Sequence, residues 1–186
     1  MDELTWIRQA LLVVHAGAFA FAFSTVLRED WALVRTRQID IASLARAART
    51  LTRALIALWA TGLALMALQL GFDAGAVLES PKLAAKLLVV SALTFNGMAL
   101  HALVFPRLLV RPGDGPVVLP TRAVVLGAVS TASWLVASFI GLSRMVAPSM
   151  RLSDYLAVYA AVLAIAVGTA LIAMRPAGAF TWRSQP

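Results

Sequence analysis

Four polar side chains lie in otherwise apolar stretches of this 186-residue chain, and their types could support chemistry there: His15, Lys86, Asn96 and His101. Polar groups in such stretches cost free energy, so each one is a candidate functional residue. An imidazole can ligate haem or a metal ion, or carry a proton. Each group also has a structural alternative, in which it bonds to another helix or reaches interfacial water.

The depths of these groups decide which of them can act together. In helices that rise about 1.5 Å per residue, His15 lies about 16 Å into its stretch, near the bilayer centre. His101 lies about 27 Å from the outer end of its stretch, near the cytoplasmic headgroups. The difference of about 10 Å between the histidines disfavours one haem held by both. Asn96, about 20 Å down, is closer to His15, and we expect a hydrogen bond between the two.

Positions around the helix separate the candidates further. Asn96 and His101 are five residues apart, about 140° around a helix, so they do not share a face. Lys86, Gly97 and His101 fall within one stripe. Two interpretations of Lys86 stay open: the ammonium reaches outward to water, or it points inward as a ligand or counter-ion.

The elements that must position these groups are five apolar stretches of about 20 residues or more, the length that crosses a bilayer. They run over about 4–27, 52–72, 83–105, 121–142 and 152–174, with a short interfacial helix at about 40–50 that runs into the second. The first stretch is too long for a signal-peptide core and follows Met-Asp-Glu, so we expect a retained helix. The predicted fold is all-α: one transmembrane domain over 1–186, a bundle of five transmembrane helices.

Composition supports this class and excludes others. Hydrophobic residues make up 61% of the chain and charged residues 13%, and the mean hydropathy is +0.84, far from soluble domains. The absence of cysteine excludes thiolate metal sites and cysteine nucleophiles. The net charge of +7 comes from arginines between apolar stretches. We therefore expect membrane lipid, and not nucleic acid, as their partner.

The distribution of basic residues predicts the orientation. Eleven Lys and Arg fall on the side that holds the connection between the first two helices, and five on the other. Since basic residues mark the cytoplasmic side, the N-terminus is expected outside and the C-terminus in the cytoplasm. Ser80 and Pro81 form a helix-start signal for the third span. In the fourth span we expect a packing face of small residues and one Trp: Gly127, Ser130, Thr131, Trp134, Ser138 and Gly141.

Several motifs resemble known families. The run SPKLAAKLLVVSALTFNGMALHALVFPRLL (80–109) resembles the third-helix region of copper-resistance protein D-like membrane proteins, through Lys86, Asn96 and Pro106. The whole chain resembles an uncharacterised group of bacterial five-helix integral membrane proteins, which share a first-helix His, PKLxAK, NGxxxH and VSxxSW. A looser similarity, through His15 and Lys86, is to the membrane-bound haem-b protoporphyrinogen oxidase. These resemblances imply a bacterial inner-membrane protein, and the last implies a haem site.

The leading hypothesis is a haem b or metal site within the membrane that serves redox chemistry or metal handling. His15 would be the axial or metal ligand, Lys86 or His101 the second ligand, and Asn96 the orienting partner. Haem b is favoured over copper, because the six Met are scattered. The sequence identifies no catalytic residue. The alternatives are an accessory or assembly subunit that docks other membrane subunits, or a small transporter.

Overall fold

A computed structural model describes residues 3–71, 73–106, 119–143, 147–174 and 180–182. Its long elements are helices, and it also contains two short strands. In chain order they are α1 (Glu3–Thr36), β1 (Gln38–Ile39), α2 (Ile41–Leu70), α3 (Ala74–Glu79), α4 (Pro81–Ala99), a π-helical turn (Leu100–Val104), α5 (Thr121–Leu142), a 3₁₀ turn (Ala147–Ser149), α6 (Leu152–Met174) and β2 (Thr181–Trp182).

Five helices in the described part of the chain are long and apolar enough to cross a membrane: α1, α2, Pro81–Val104, α5 and α6. This confirms the predicted class, a largely helical multi-pass membrane protein. The last residue of the second predicted span, Phe72, lies outside the described residues. So do five of the basic residues counted for the orientation: Arg107, Arg111, Arg144, Arg175 and Arg183.

The first two helices are longer than their apolar stretches. α1 has 34 residues and α2 has 30, or about 51 Å and 45 Å, against a hydrocarbon core of about 30 Å. The segment expected as an interfacial helix at about 40–50 forms the first turns of α2. Its Ala, Leu and Arg residues favour helix, and no Gly or Pro interrupts it.

Local signals account for the start of two spans. The Ser80 hydroxyl accepts a hydrogen bond from the Leu83 N–H at 3.4 Å, and Pro81 follows at the first helical position, where its missing N–H costs nothing. At α6 the Asp154 carboxylate accepts from the backbone N–H of Arg151 at 2.7 Å, as in a capping box. The predicted start of the third span at Ser80-Pro81 is therefore confirmed.

The chain divides into two compact units, Met1–Trp31 with Ala42–Glu79 and Ala32–Ile41 with Ser80–Pro186. In the first unit α1 and α2 run antiparallel. Residues early in α1 contact residues late in α2, and residues late in α1 contact residues early in α2. Three polar contacts join the helices at three levels: Arg8 with Gln69, His15 with Thr61, and Glu29 with Ser43.

The second unit packs α4, α5 and α6 around a small apolar core. Its most buried members are Ala85 and Val89 of α4, Val136 and Ile140 of α5, and Tyr155 of α6. β1 and β2 pair in parallel, with Gln38 opposite Thr181 and Ile39 opposite Trp182.

Arg37 fastens the end of α1 to the end of α6 within this unit. Its guanidinium donates to the Ala173 carbonyl at 2.8 Å and lies 5.5 Å from the Phe180 ring centroid. A cation at the last turn of a helix also complements the helix dipole. Arg37 itself has φ of 52°, a left-handed conformation that ends α1 without glycine.

The most buried residues of α5 do not follow the predicted small-residue stripe. Ala128, Ala132, Val136 and Ile140, spaced four apart, are buried with Ser133. Of the predicted stripe only Trp134 is buried. Ser133, outside that stripe, makes the bond between helices: its hydroxyl lies 2.8 Å from the Tyr159 hydroxyl of α6. Apart from Trp134, the predicted stripe is therefore less buried than this line of apolar residues, and its role as a packing face stays a prediction.

The two tyrosines of α6 provide a matched pair for measurement. The Tyr155 hydroxyl is buried and has no hydrogen-bond partner in the described chain, whereas the Tyr159 hydroxyl bonds to Ser133. A buried unsatisfied hydroxyl costs about 1–3 kcal/mol. We expect Tyr155→Phe to hold or raise the free energy of unfolding in detergent and Tyr159→Phe to lower it by about 1 kcal/mol. Equal losses in both variants would contradict this packing.

Candidate functional site

His15 lies in the middle of α1, half-buried, and its Nδ1 is 2.7 Å from the Thr61 hydroxyl of α2. The Thr61 hydroxyl also lies 2.7 Å from the Ala57 carbonyl oxygen, one turn back along α2. Each of these two short contacts needs a proton between its heavy atoms. The hydroxyl has one proton and the carbonyl none, so the second proton must come from His15.

This proton count sets the state of the His15 ring. Nδ1 carries a proton and donates it to Thr61, while the Thr61 hydroxyl donates to Ala57. In a neutral imidazole the other nitrogen, Nε2, then holds the lone pair. Metal-ligating histidines commonly have this arrangement, with one ring nitrogen donating to a fixed acceptor and the other on the metal.

The neighbours of His15 on α2 lie close to the ring. Thr61 is buried, and a Cβ built on Gly62 would meet His15 Cε1 at 3.6 Å, which is van der Waals contact. Between Ala54 and Leu68 the other residues are apolar except for Trp59; the stretch has one polar residue, Thr61, and one glycine, Gly62. Sequence reasoning did not find Thr61. The sequence signal for Thr61 is the Thr-Gly pair. If α2 is antiparallel to α1, this pair lies at the same depth as His15.

Asn96 lies on α4 and is buried in the second unit. Its amide nitrogen donates to the Leu126 carbonyl of α5 at 3.0 Å, and its Oδ1 is buried without a hydrogen-bond partner in the described residues. Asn96 therefore joins α4 to α5. His15 belongs to the other unit, and the hydrogen bond expected between His15 and Asn96 stays a prediction.

His101 is exposed and lies in the π-helical turn that ends α4. Its Nδ1 is 2.9 Å from the Gly97 carbonyl oxygen, so Nδ1 donates the hydrogen bond. Its ring stands perpendicular to the Phe105 ring at a centroid distance of 5.0 Å. The exposed His101 and the buried Asn96 lie on different faces, as predicted.

Lys86 lies on α4 and is half-buried. It is 15 residues before His101, about 22 Å along the helix axis. A single bound ion or small molecule can therefore contact either Lys86 or His101, but not both. Lys86 and Asn96 on α4 and His101 in the π-helical turn that follows it belong to the second unit, and His15 belongs to the first.

Metal-binding capacity in the described part of the chain is limited. It holds no group of three or more His, Asp or Glu side chains that could bind a metal ion. Metal ions bound by side chains alone usually need three or four ligands. Haem differs, because the porphyrin supplies four nitrogens and the protein adds one or two. A single histidine such as His15 would therefore suit a group that brings most of its own ligands better than a bare ion.

These features define a multi-pass membrane protein with a half-buried, oriented histidine in one of its spans. A scan of protein families, a search of curated proteins and a search of solved structures each find no match for this chain.

Proposed function

We propose that this chain is an integral membrane protein that holds haem b through His15 and serves redox chemistry or metal handling. The hydrogen bond from His15 to Thr61 carries the proposal, because it orients the ring as the partner of a ligating histidine does. Haem, when bound, supplies one-electron chemistry. The resemblance to copper-resistance protein D-like proteins supports the same class.

The other predicted residues have defined parts in this proposal. Lys86 or His101 would be the second residue to hold the haem, and their separation of about 22 Å along the helix axis allows only one of them to do so. The orienting role expected of Asn96 is held by Thr61 in this proposal, and Asn96, whose amide donates to the Leu126 carbonyl, joins α4 to α5. Copper is less favoured than haem, because no cluster of ligands supports it in the described residues.

The direct test is the optical spectrum of the full chain, purified in detergent from cells supplied with haem precursors, together with metal analysis. We expect a Soret band and one haem b per chain by the pyridine haemochrome assay. A colourless preparation free of metal would overturn the proposal. The His15–Thr61 bond would then serve only to join α1 to α2, and an accessory subunit would be the better hypothesis.

We also propose that the protein lies in the bacterial inner membrane with its N-terminus outside and its C-terminus in the cytoplasm. Support comes from the six arginines at or beside the connection between α1 and α2: Arg28, Arg35, Arg37, Arg46, Arg49 and Arg53. The contact of Arg37 with Ala173 supports the number of spans, because five spans bring the ends of α1 and α6 to one side of the membrane.

Single cysteines test this orientation cleanly, because the chain has no cysteine of its own. Thr36 and Glu79 are exposed; Thr36 ends α1, before α2 begins, and Glu79 ends α3, which follows α2. In intact spheroplasts we expect a membrane-impermeant maleimide to label Glu79→Cys at once. Thr36→Cys should react only after permeabilisation. The reverse pattern would show the opposite orientation.

A further inference from the structure

Three arginines form a stripe along the first half of α2. Arg46, Arg49 and Arg53 are all exposed. Their spacing of three and four residues places them within an arc of about 60° and over about 10 Å of helix. The buried residues of this segment, Ala47 and Ala54 among them, lie on the other side of the helix. We call Arg46, Arg49 and Arg53 the arginine stripe.

The stripe has no protein partner in the described residues. None of its three guanidinium groups makes a hydrogen bond or an ion pair there. Arg28 and Arg37 differ, because Arg28 pairs with Glu29 and Arg37 donates to Ala173. Three adjacent, unpaired guanidinium groups repel one another, so an anion that lies across them would be bound favourably.

The depth of the stripe matches the lipid phosphates. The apolar part of α2 runs over residues 54–70 and is centred beside Thr61. From that level Arg53, Arg49 and Arg46 lie about 12, 18 and 22 Å along the axis. The hydrocarbon core extends about 15 Å from the midplane and the headgroup layer to about 20–22 Å. The side chain of Arg53 can extend along the helix to the headgroup layer, while Arg49 and Arg46 already lie in that layer or at its edge.

We propose that the arginine stripe binds the phosphate of an anionic phospholipid in the leaflet that surrounds the start of α2. A guanidinium presents a planar pair of donors that matches phosphate oxygens, which favours arginine over lysine at such a site. Lipid is the occupant because the stripe continues the transmembrane part of α2, where lipids surround the helix. The site does not depend on haem binding at His15.

The test is the lipid preference of the reconstituted full chain. In phosphatidylcholine bilayers with a small fraction of spin-labelled lipid, electron paramagnetic resonance measures the association of labelled phosphatidylglycerol relative to labelled phosphatidylcholine. A basic residue near the surface contributes about fivefold. We expect the preference of the wild-type chain for phosphatidylglycerol to fall toward one in the variant R46Q/R49Q/R53Q.

The matched control removes the same charge elsewhere. Arg35, Arg122 and Arg151 are also exposed but lie on no common helix, so the variant R35Q/R122Q/R151Q should lose less of the preference than R46Q/R49Q/R53Q. Equal losses in both variants would overturn the proposal, because net charge alone would then explain them. If the stripe variant fails to fold, R46Q/R49Q replaces it. Full displacement of the labelled lipid by soluble glycerol phosphate would also overturn it, because lipid would not be the occupant.

Discussion

Thr61→Val is expected to lower the free energy of unfolding in detergent by about 1–3 kcal/mol, because the Nδ1 proton of His15 loses its acceptor. The same change should weaken haem binding by about 10- to 100-fold, the usual effect of removing the partner that orients a ligating histidine. Valine keeps the shape of threonine, so packing changes little. Chemical unfolding and haem titration of the purified variant measure the two effects.

Thr25→Val is the matched control for this prediction. Thr25 is as buried as Thr61 and also donates to a carbonyl one turn back, that of Phe21. No other helix supplies a partner for its hydroxyl in the described chain. We expect a change of less than about 0.5 kcal/mol and unaltered haem binding. If both variants behave alike, the bond between His15 and Thr61 has no special role.

Arg37→Ala is expected to cost about 2 kcal/mol of unfolding free energy, since a charged hydrogen bond to Ala173 and the contact with Phe180 are lost together. Arg37→Gly removes the same contacts but relieves the left-handed backbone, φ 52°. Its loss should be smaller by about 1 kcal/mol. Thermal unfolding of both variants, followed by circular dichroism, gives the comparison.

The exposed neighbour Arg35 gives the control for Arg37. Arg35→Ala removes the same charge two residues away and should change stability by less than about 0.5 kcal/mol. A loss at Arg35 as large as at Arg37 would show that charge near this connection matters more than the contacts with α6.

The apolar stretches predicted the five spans well, because bilayer thickness sets the length of an apolar helix. The predicted fourth and fifth spans agree with α5 and α6. α1 and α2 extend beyond their predicted spans. Hydropathy indicates which residues lie in the hydrocarbon core, whereas a helix can continue into water as long as its backbone hydrogen bonds do. The end of α1 could not be predicted, because Arg37 adopts a left-handed conformation without glycine, held by contacts with α6.

The candidate site was predicted in part. His15 stood out by its type and depth, but its partner Thr61 lies 46 residues away on another helix, and threonine is common in helices. Only the antiparallel pairing of α1 and α2 brings the two together. The packing face of α5 was predicted from small and hydroxyl residues. The buried face is instead lined by Ala132, Val136 and Ile140, because apolar side chains can pack or face lipid with equal ease.

Axial ligation by His15 is the central claim, and imidazole rescue of His15→Gly tests it most directly. Glycine removes the ring and leaves space for a free imidazole. We expect the wild-type chain to show a Soret band, the variant to lack it, and added imidazole to restore it in reconstituted protein, with His101→Gly as the parallel variant. A Soret band in His15→Gly without imidazole, or no band in the wild-type chain, would contradict the claim.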